Sequence, residues 1–356
     1  MEEIVYRPHH EAVLKACIRD FLKGNLPVLD LETSAICRHA LCIYCDSKVG
    51  PAMPNELTKN EMRALLEEAL KEGVKWLYIC GLGEPIDDPN FHQVILPFIN
   101  EYDVNISIFT NGLGITEELV SKFPVEKVNL IVKCDSLNEV TFDALLGRRG
   151  VARRIYAAIE LLIDHGFGDQ GGGITNLALS IVPTKINKED VIDVVRFCKE
   201  MRLFPSIGEL EMAGRAVRIF AQLALSHEEL VSLKKQVENV LGFHYERKIC
   251  PAAIAGLHIT NVGNCVVDKE TGISCSWFTL REPSYISLGN VRECRLRTLM
   301  ERMMKYRAEI LHKINITSIM QKIGGIVFGG CGGPPTKLIT YYLRVMEAKL
   351  GSNCNY

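Results

Sequence analysis

The chain has 356 residues, 47% hydrophobic and 24% charged, with a formal net charge of -2. That length allows one large domain with or without an appendage, and the longest apolar runs are strand-sized, so no membrane span is expected. The near-neutral charge leaves no footprint for a polyanion, and MEEIVYRPHHEAVLK has neither the basic start nor the apolar run of a signal peptide. A cytoplasmic protein with no nucleic-acid partner is the expectation.

From residue 28 to about 212, strand-like apolar runs alternate with amphipathic helical stretches, the pattern of a parallel sheet with crossover helices. The expected strands are VLDLETSA, KWLYICG, NISIFTNG, KVNLIVKCD, TNLALSIVPT and FPSIGELEM. Between the first two lies LTKNEMRALLEEALKEG, where Thr58 and Glu61 have capping-box spacing and Gly73 closes the helix. GVARRIYAAIELLIDHG follows the fourth strand and again ends in glycine. Six such units predict an α/β fold with a partial (β/α)6 TIM-like barrel, whose ligands gather at the C-terminal ends of the strands.

After residue 212 the pattern changes. The helix SHEELVSLKKQVENVLG carries a second capping box in Ser226 and Glu229. Short strand-like pieces AGLHITN and NCVVD, a cysteine-rich region, the helix RLRTLMERMMKYRAEILHKI and the glycine-dense IGGIVFGGCGGPP complete the chain. About 100 residues so poor in large apolar runs point to a metal site that staples them. The expected organisation is a helical N-terminal extension over 1–27, the barrel over 28–222, a bridging helix over 223–245 and a small cluster-binding domain over 246–356.

Thirteen cysteines are many for a reducing compartment and point to metal or redox chemistry. Cys80, Cys134 and Cys198 lie in apolar strand or helix patterns and read as small buried hydrophobes. Cys37, Cys42 and Cys45 are different. A structural zinc site wants four ligands, whereas an iron–sulfur cube held by three thiolates leaves one iron open to another ligand. Their loop follows the first strand, at the mouth of the barrel.

This loop resembles that of the radical S-adenosylmethionine (radical SAM) enzymes, with four residues, RHAL, between its first two cysteines where the family has three. The resemblance implies a [4Fe–4S] cluster on Cys37, Cys42 and Cys45 that binds S-adenosylmethionine, with Tyr44 near the adenine. YICGLGEPIDDP, at the end of the second strand, is similar to the family's glycine–glycine–glutamate–proline element. It implies that Gly81 and Gly83 allow close approach, that Glu84 accepts from the cofactor's ammonium group, and that Pro85 completes the motif. Later strand ends add Asn111, Ser180 and Arg215 as cofactor contacts.

The C-terminal cysteines resemble the family's SPASM and shorter twitch auxiliary-cluster domains. One auxiliary [4Fe–4S] cluster is implied, on Cys250, Cys265, Cys275 and Cys331, with Cys265 taken over Cys294 because NVRECRL reads as a helix start. Cys354 reads as a free thiol. Cys134, near the mouth of the fourth strand, is a candidate hydrogen-atom donor for an epimerase-type reaction, with a core role as its plainer alternative.

The 27 residues before the first strand are too few for a leader-peptide-binding domain. The leading expectation is therefore a small-molecule substrate, a polar metabolite of sugar or nucleoside type. Oxidation or decarboxylation would follow hydrogen abstraction, with flavodoxin or ferredoxin as reducing partner. GRRGVARR, Gly147 to Arg154, is a candidate contact for an acidic substrate group or else a solvated helix start. The alternatives are a radical SAM enzyme maturing a peptide or protein, and a non-catalytic iron–sulfur or zinc scaffold.

Overall fold

The structure is a computed structural model and describes residues 3–38, 41–47, 49–80, 82–246, 248–276, 285–314, 327–328 and 335–351. Gly81, Cys331 and Cys354, all assigned from the sequence, lie outside the described residues.

The six expected strands form in chain order: β1 (Val28–Leu31), β2 (Trp76–Ile79), β3 (Asn105–Thr110), β4 (Val128–Lys133), β5 (Leu177–Ile181) and β6 (Phe204–Ile207). Each pairs in parallel with the next, so the sheet curves as an unclosed barrel. Both predicted capping boxes form, at the start of the helices Lys59–Lys71 and His227–Leu241.

Alternation along each strand sorts the residues. Leu29, Leu31, Leu77, Ile79, Ile106, Ile108, Leu130, Val132, Leu177 and Leu179 face the surrounding helices with no exposed surface. The opposite face carries polar side chains interspersed with apolar ones. Asp30, Tyr78, Ser107 and Asn129 stand level across β1 to β4, and Lys133, Ser180 and Ser206 stand level across β4 to β6.

The N-terminal segment closes the bottom of this polar interior. Val5–Tyr6 pairs with Ile174–Thr175 just ahead of β5. The Tyr6 hydroxyl lies 3.0 Å from Ser107 Oγ, Arg7 Nε donates to Asn129 Oδ1 at 2.7 Å, and the Tyr78 hydroxyl donates to the Pro8 carbonyl at 3.1 Å. The first long helix, Glu11–Leu22, then packs its buried Leu14, Cys17, Ile18 and Phe21 inward.

The region after 246 extends the barrel sheet. β7 (Gly256–Ile259) lies parallel to β1, β8 (Asn264–Asp268) pairs antiparallel with β7, and β9 (Tyr285–Asn290) pairs antiparallel with β8. His258 is thereby level with Asp30. Its fully buried ring lies between two carboxylates, with Nδ1 3.4 Å from Asp30 Oδ2 and Nε2 3.3 Å from Glu32 Oε1. The amides of Ser276 and Asn261 also donate to these carboxylates.

Regular structure here exceeds the expectation of few and short elements. Besides the predicted helix, Leu296–Ile310, a 17-residue helix spans Pro335–Gly351. It buries Leu338, Ile339, Tyr342, Val345 and Met346, a helical stripe that contacts the helix Glu11–Leu22.

Candidate active site

The chain turns after Ala35 into the cysteine loop, whose base closes by Cys37 N–H donating to the Gly50 carbonyl at 3.2 Å and Gly50 N–H to Ala35 at 3.1 Å. Its far side pairs with the end of the helix Glu139–Leu146, through the Leu41 amide to Leu146 (3.2 Å) and the Ile43 amide to Leu145 (3.0 Å). Arg215, after β6, clasps the loop twice. Its amide donates to the Cys45 carbonyl at 2.8 Å and its Nη1 to the Cys42 carbonyl at 2.9 Å.

Three glycines press on the same loop. A Cβ at Gly83 would stand 2.2 Å from the Ile36 carbonyl oxygen, at Gly147 2.5 Å from that of Leu41, and at Gly214 2.4 Å from that of Cys45. These are backbone atoms, so the clash cannot be relieved by a rotamer. Gly147 and Gly214 also have positive φ. Gly83→Ala is expected to destabilise the chain by about 1–3 kcal/mol and to impair iron loading. Gly50→Ala, in the same loop with nothing within 4 Å, should stay within about 0.5 kcal/mol. Urea denaturation of both variants checks this; equal losses would contradict it.

Glu84 opens a buried turn with Pro85 and Asp87. It accepts from Thr110 Oγ1 at 2.6 Å, from the Asn111 amide at 2.6 Å and from the Ile86 amide at 3.2 Å, binding the end of β2 to the end of β3. Its oxygens keep lone-pair capacity for a further donor. Burial raises its pKa to about 7 against the opposing pull of those hydrogen bonds. Because the folded value lies above the ordinary one, the folded chain holds the extra proton, and stability falls by about 3 kcal/mol as pH rises from 4.5 to 7. Glu84→Gln should flatten that fall in urea midpoints of the cofactor-free chain at pH 5 and pH 8; a slope identical to wild type would refute it.

Asn111 is 9% exposed; its Oδ1 accepts from the Leu113 amide, while its Nδ2 is buried without a partner. Ser180 is partly buried on the polar face beside Lys133. Tyr44 is held by a pair that sequence reasoning missed. Its hydroxyl donates to the Asp135 carboxylate and accepts from the Lys133 ammonium, which is also 2.8 Å from Asp135 Oδ2 and 4.4 Å from the Tyr44 ring centroid. Burial opposes the Lys133 charge, but Asp135 and Tyr44 hold its pKa well above the usual lysine value.

Cys134 is not brought to this site. It faces away from Lys133 and Asp135, fully buried, with its thiol pKa pushed up first by burial and then by Asp135. Cys134 and Cys198 are core cysteines as read, but Cys80 is not: it is half-buried, 3.1 Å from Ser276 Oγ and 3.7 Å from Asp30 Oδ1. Within GRRGVARR, the Asp143 carboxylate caps the amides of Val151 and Ala152, and exposed Arg153 pairs with Glu139.

Among the C-terminal cysteines, Cys265 and Cys275 are both electrostatic neighbours of Arg307. Cys250 lies instead beside the Tyr78 hydroxyl, and Cys294 takes a contact from Arg302 Nη1 at 3.3 Å. Among the described residues, no three Cys, His, Asp or Glu side chains form a preassembled metal group, here or in the first loop. Thiols converge on a metal when they bind it and lose their protons. Three thiols on one clasped loop, a cradle that a Cβ would fill and the orphaned Asn111 donor nevertheless fit an iron–sulfur cluster with an organic cofactor beside it.

Residues 31–198 match the family described as the Radical SAM superfamily. They form a radical SAM domain. Over 278 residues, 74% of this chain and 68% of the relative, the sequence is 25% identical to "Mycofactocin maturase MftC" of Mycolicibacterium smegmatis. The fold is similar to that of Streptococcus suis SuiB bound to S-adenosylmethionine, with a TM-score of 0.59 at 16% identity over 80% of this chain and 68% of that one. SuiB bound to its precursor peptide SuiA matches at 0.50, 16% identity, 80% and 67%. anSMEcpe with bound AdoMet and a peptide matches at 0.60 and 13% identity, over 91% of this chain and 99% of that one. The radical SAM domain implies a [4Fe–4S] cluster and S-adenosylmethionine as cofactors. No helix among the described residues is long and apolar enough to cross a membrane.

Proposed function

We propose that this radical SAM enzyme matures a peptide or protein. The expectation of a small sugar- or nucleoside-type substrate gives way to the alternative for one main reason: curated relatives that match over 71% to 77% of this chain are maturases. SuiB solved with a precursor peptide and anSMEcpe solved with a peptide support the same reading.

In this reading Cys37, Cys42 and Cys45 hold the first cluster. When bound, cluster and S-adenosylmethionine together supply a 5′-deoxyadenosyl radical able to take hydrogen from an unactivated C–H bond. The protein supplies position and dryness. Arg215 and the glycines at 83, 147 and 214 fix the thiol loop, and Glu84 and Pro85 set the floor beside it. Asn111 offers its spare donor, Tyr44 and Ser180 line the polar face, and the N-terminal plug closes the far end to water. An auxiliary cluster on the C-terminal thiols, and a flavodoxin or ferredoxin as electron source, complete the proposal. Oxidation or decarboxylation of the peptide is the outcome such an electron-accepting cluster suits.

The test is anaerobic turnover with dithionite and S-adenosylmethionine against two panels, synthetic 20-residue peptides and free nucleosides and sugars. A peptide that raises 5′-deoxyadenosine formation at least tenfold and changes mass supports the reading. Stimulation confined to the nucleoside and sugar panel overturns it.

A further inference from the structure

The helix Leu296–Ile310 turns one of its arginines inward. Arg307 is 1% exposed, the largest fully buried side chain among the described residues. Its Nε donates to the Gly272 carbonyl at 2.9 Å and its Nη1 reaches the Ile254 carbonyl at 3.5 Å. The guanidinium lies 5.3 Å from the Tyr342 ring centroid and 5.8 Å from that of Phe21. Its Nη2 is buried with no partner. No described carboxylate pairs with it; the neighbours that favour its charge are Tyr342 and the thiols of Cys265 and Cys275.

A buried cation held by carbonyls, a thioether (Met346 Sδ, 3.9 Å from Nη1) and ring faces is costly, and such charges are normally paired. Besides the Tyr342 phenol, the neighbouring groups able to become anionic are the two thiols. An iron–sulfur cube on four thiolates carries net negative charge that grows on reduction, and fixed positive charge beside it stabilises the reduced form most. We propose that Arg307 is the counter-charge of the auxiliary cluster, a positioning residue that keeps the cluster easy to reduce and so fit to accept electrons. This rests on the auxiliary-cluster reading above.

The experiment uses the Cys37→Ala, Cys42→Ala, Cys45→Ala chain, in which only the auxiliary cluster remains, as parent for Arg307→Gln and Arg307→Lys. After anaerobic reconstitution, iron and sulfide are counted and midpoint potentials are read by EPR-monitored titration. The parent is expected to hold about four irons, the Gln variant to have a more negative midpoint, and the Lys variant to return close to the parent. A fully loaded Gln variant with an unmoved midpoint, or equal shifts in both variants, overturns the proposal while leaving the cluster standing. A parent without iron overturns the auxiliary-cluster reading and the proposal with it. If the Gln variant does not load, the Lys variant decides: it keeps the charge but not the hydrogen-bond fork. Full loading at the parent midpoint then supports the proposal, and lost loading overturns it.

Discussion

Replacing Cys37, Cys42 and Cys45 together by alanine is expected to abolish 5′-deoxyadenosine formation and to remove about four irons per reconstituted chain, from about eight to about four. The loop should otherwise survive the change. Its shape rests on backbone bonds from Gly50, Leu145 and Leu146, on Arg215 and on the three close-packed glycines, none of which uses a thiol. Unfolding midpoints of the cofactor-free variant and wild type should therefore coincide. Retained cleavage of S-adenosylmethionine would remove these thiols from the mechanism, and zinc in place of iron would remove the radical chemistry altogether.

Replacing His258 by leucine is expected to cost about 3–5 kcal/mol, because it strands two buried carboxylates without their cation. Asp30 and Glu32 are each 1% exposed, and the ring between them has no exposed surface. Burial alone would lower the imidazole pKa, yet Asp30 and Glu32 raise it to about 10. The folded value lies above the usual 6.5, so this stabilisation is complete below about pH 6.5 and is lost as pH rises through 10. Wild-type urea midpoints should fall between pH 7 and pH 10, and those of His258→Leu should fall less. A loss under about 1 kcal/mol would mean that the amides of Ser276 and Asn261 compensate the carboxylates unaided.

What the sequence conveyed was local. Six strands, two capping boxes and the glycine-closed helices follow from period and spacing, and they form where expected. The thiol loop and the glutamate–proline turn were legible as motifs because function concentrates rare residue types in a short span. The glycines at 147 and 214 were not, since close approach between distant segments leaves no local signature. The core reading of Cys134 follows from alternation: with Lys133 and Asp135 facing one way, it faces the other. His258 stands in AGLHITN among apolar residues, and nothing there announces partners at 30 and 32. Arg307 reads as one more charge on an amphipathic helix, and the stripe of the last helix follows a glycine-rich tract that hides its period.

The parallel pairing of β7 with β1 also bears on how the chain is made. Residue 258 meets residue 32 across a separation of 226 positions. During synthesis, β1 keeps one row of amides and carbonyls unpaired long after its other neighbours have folded, and two acidic side chains wait for their cation beside that row. An apolar edge left open for so long is a natural template for pairing with another nascent chain. Closure by β7 ends that exposure, so truncation ahead of residue 256 should leave a barrel that aggregates as it leaves the ribosome.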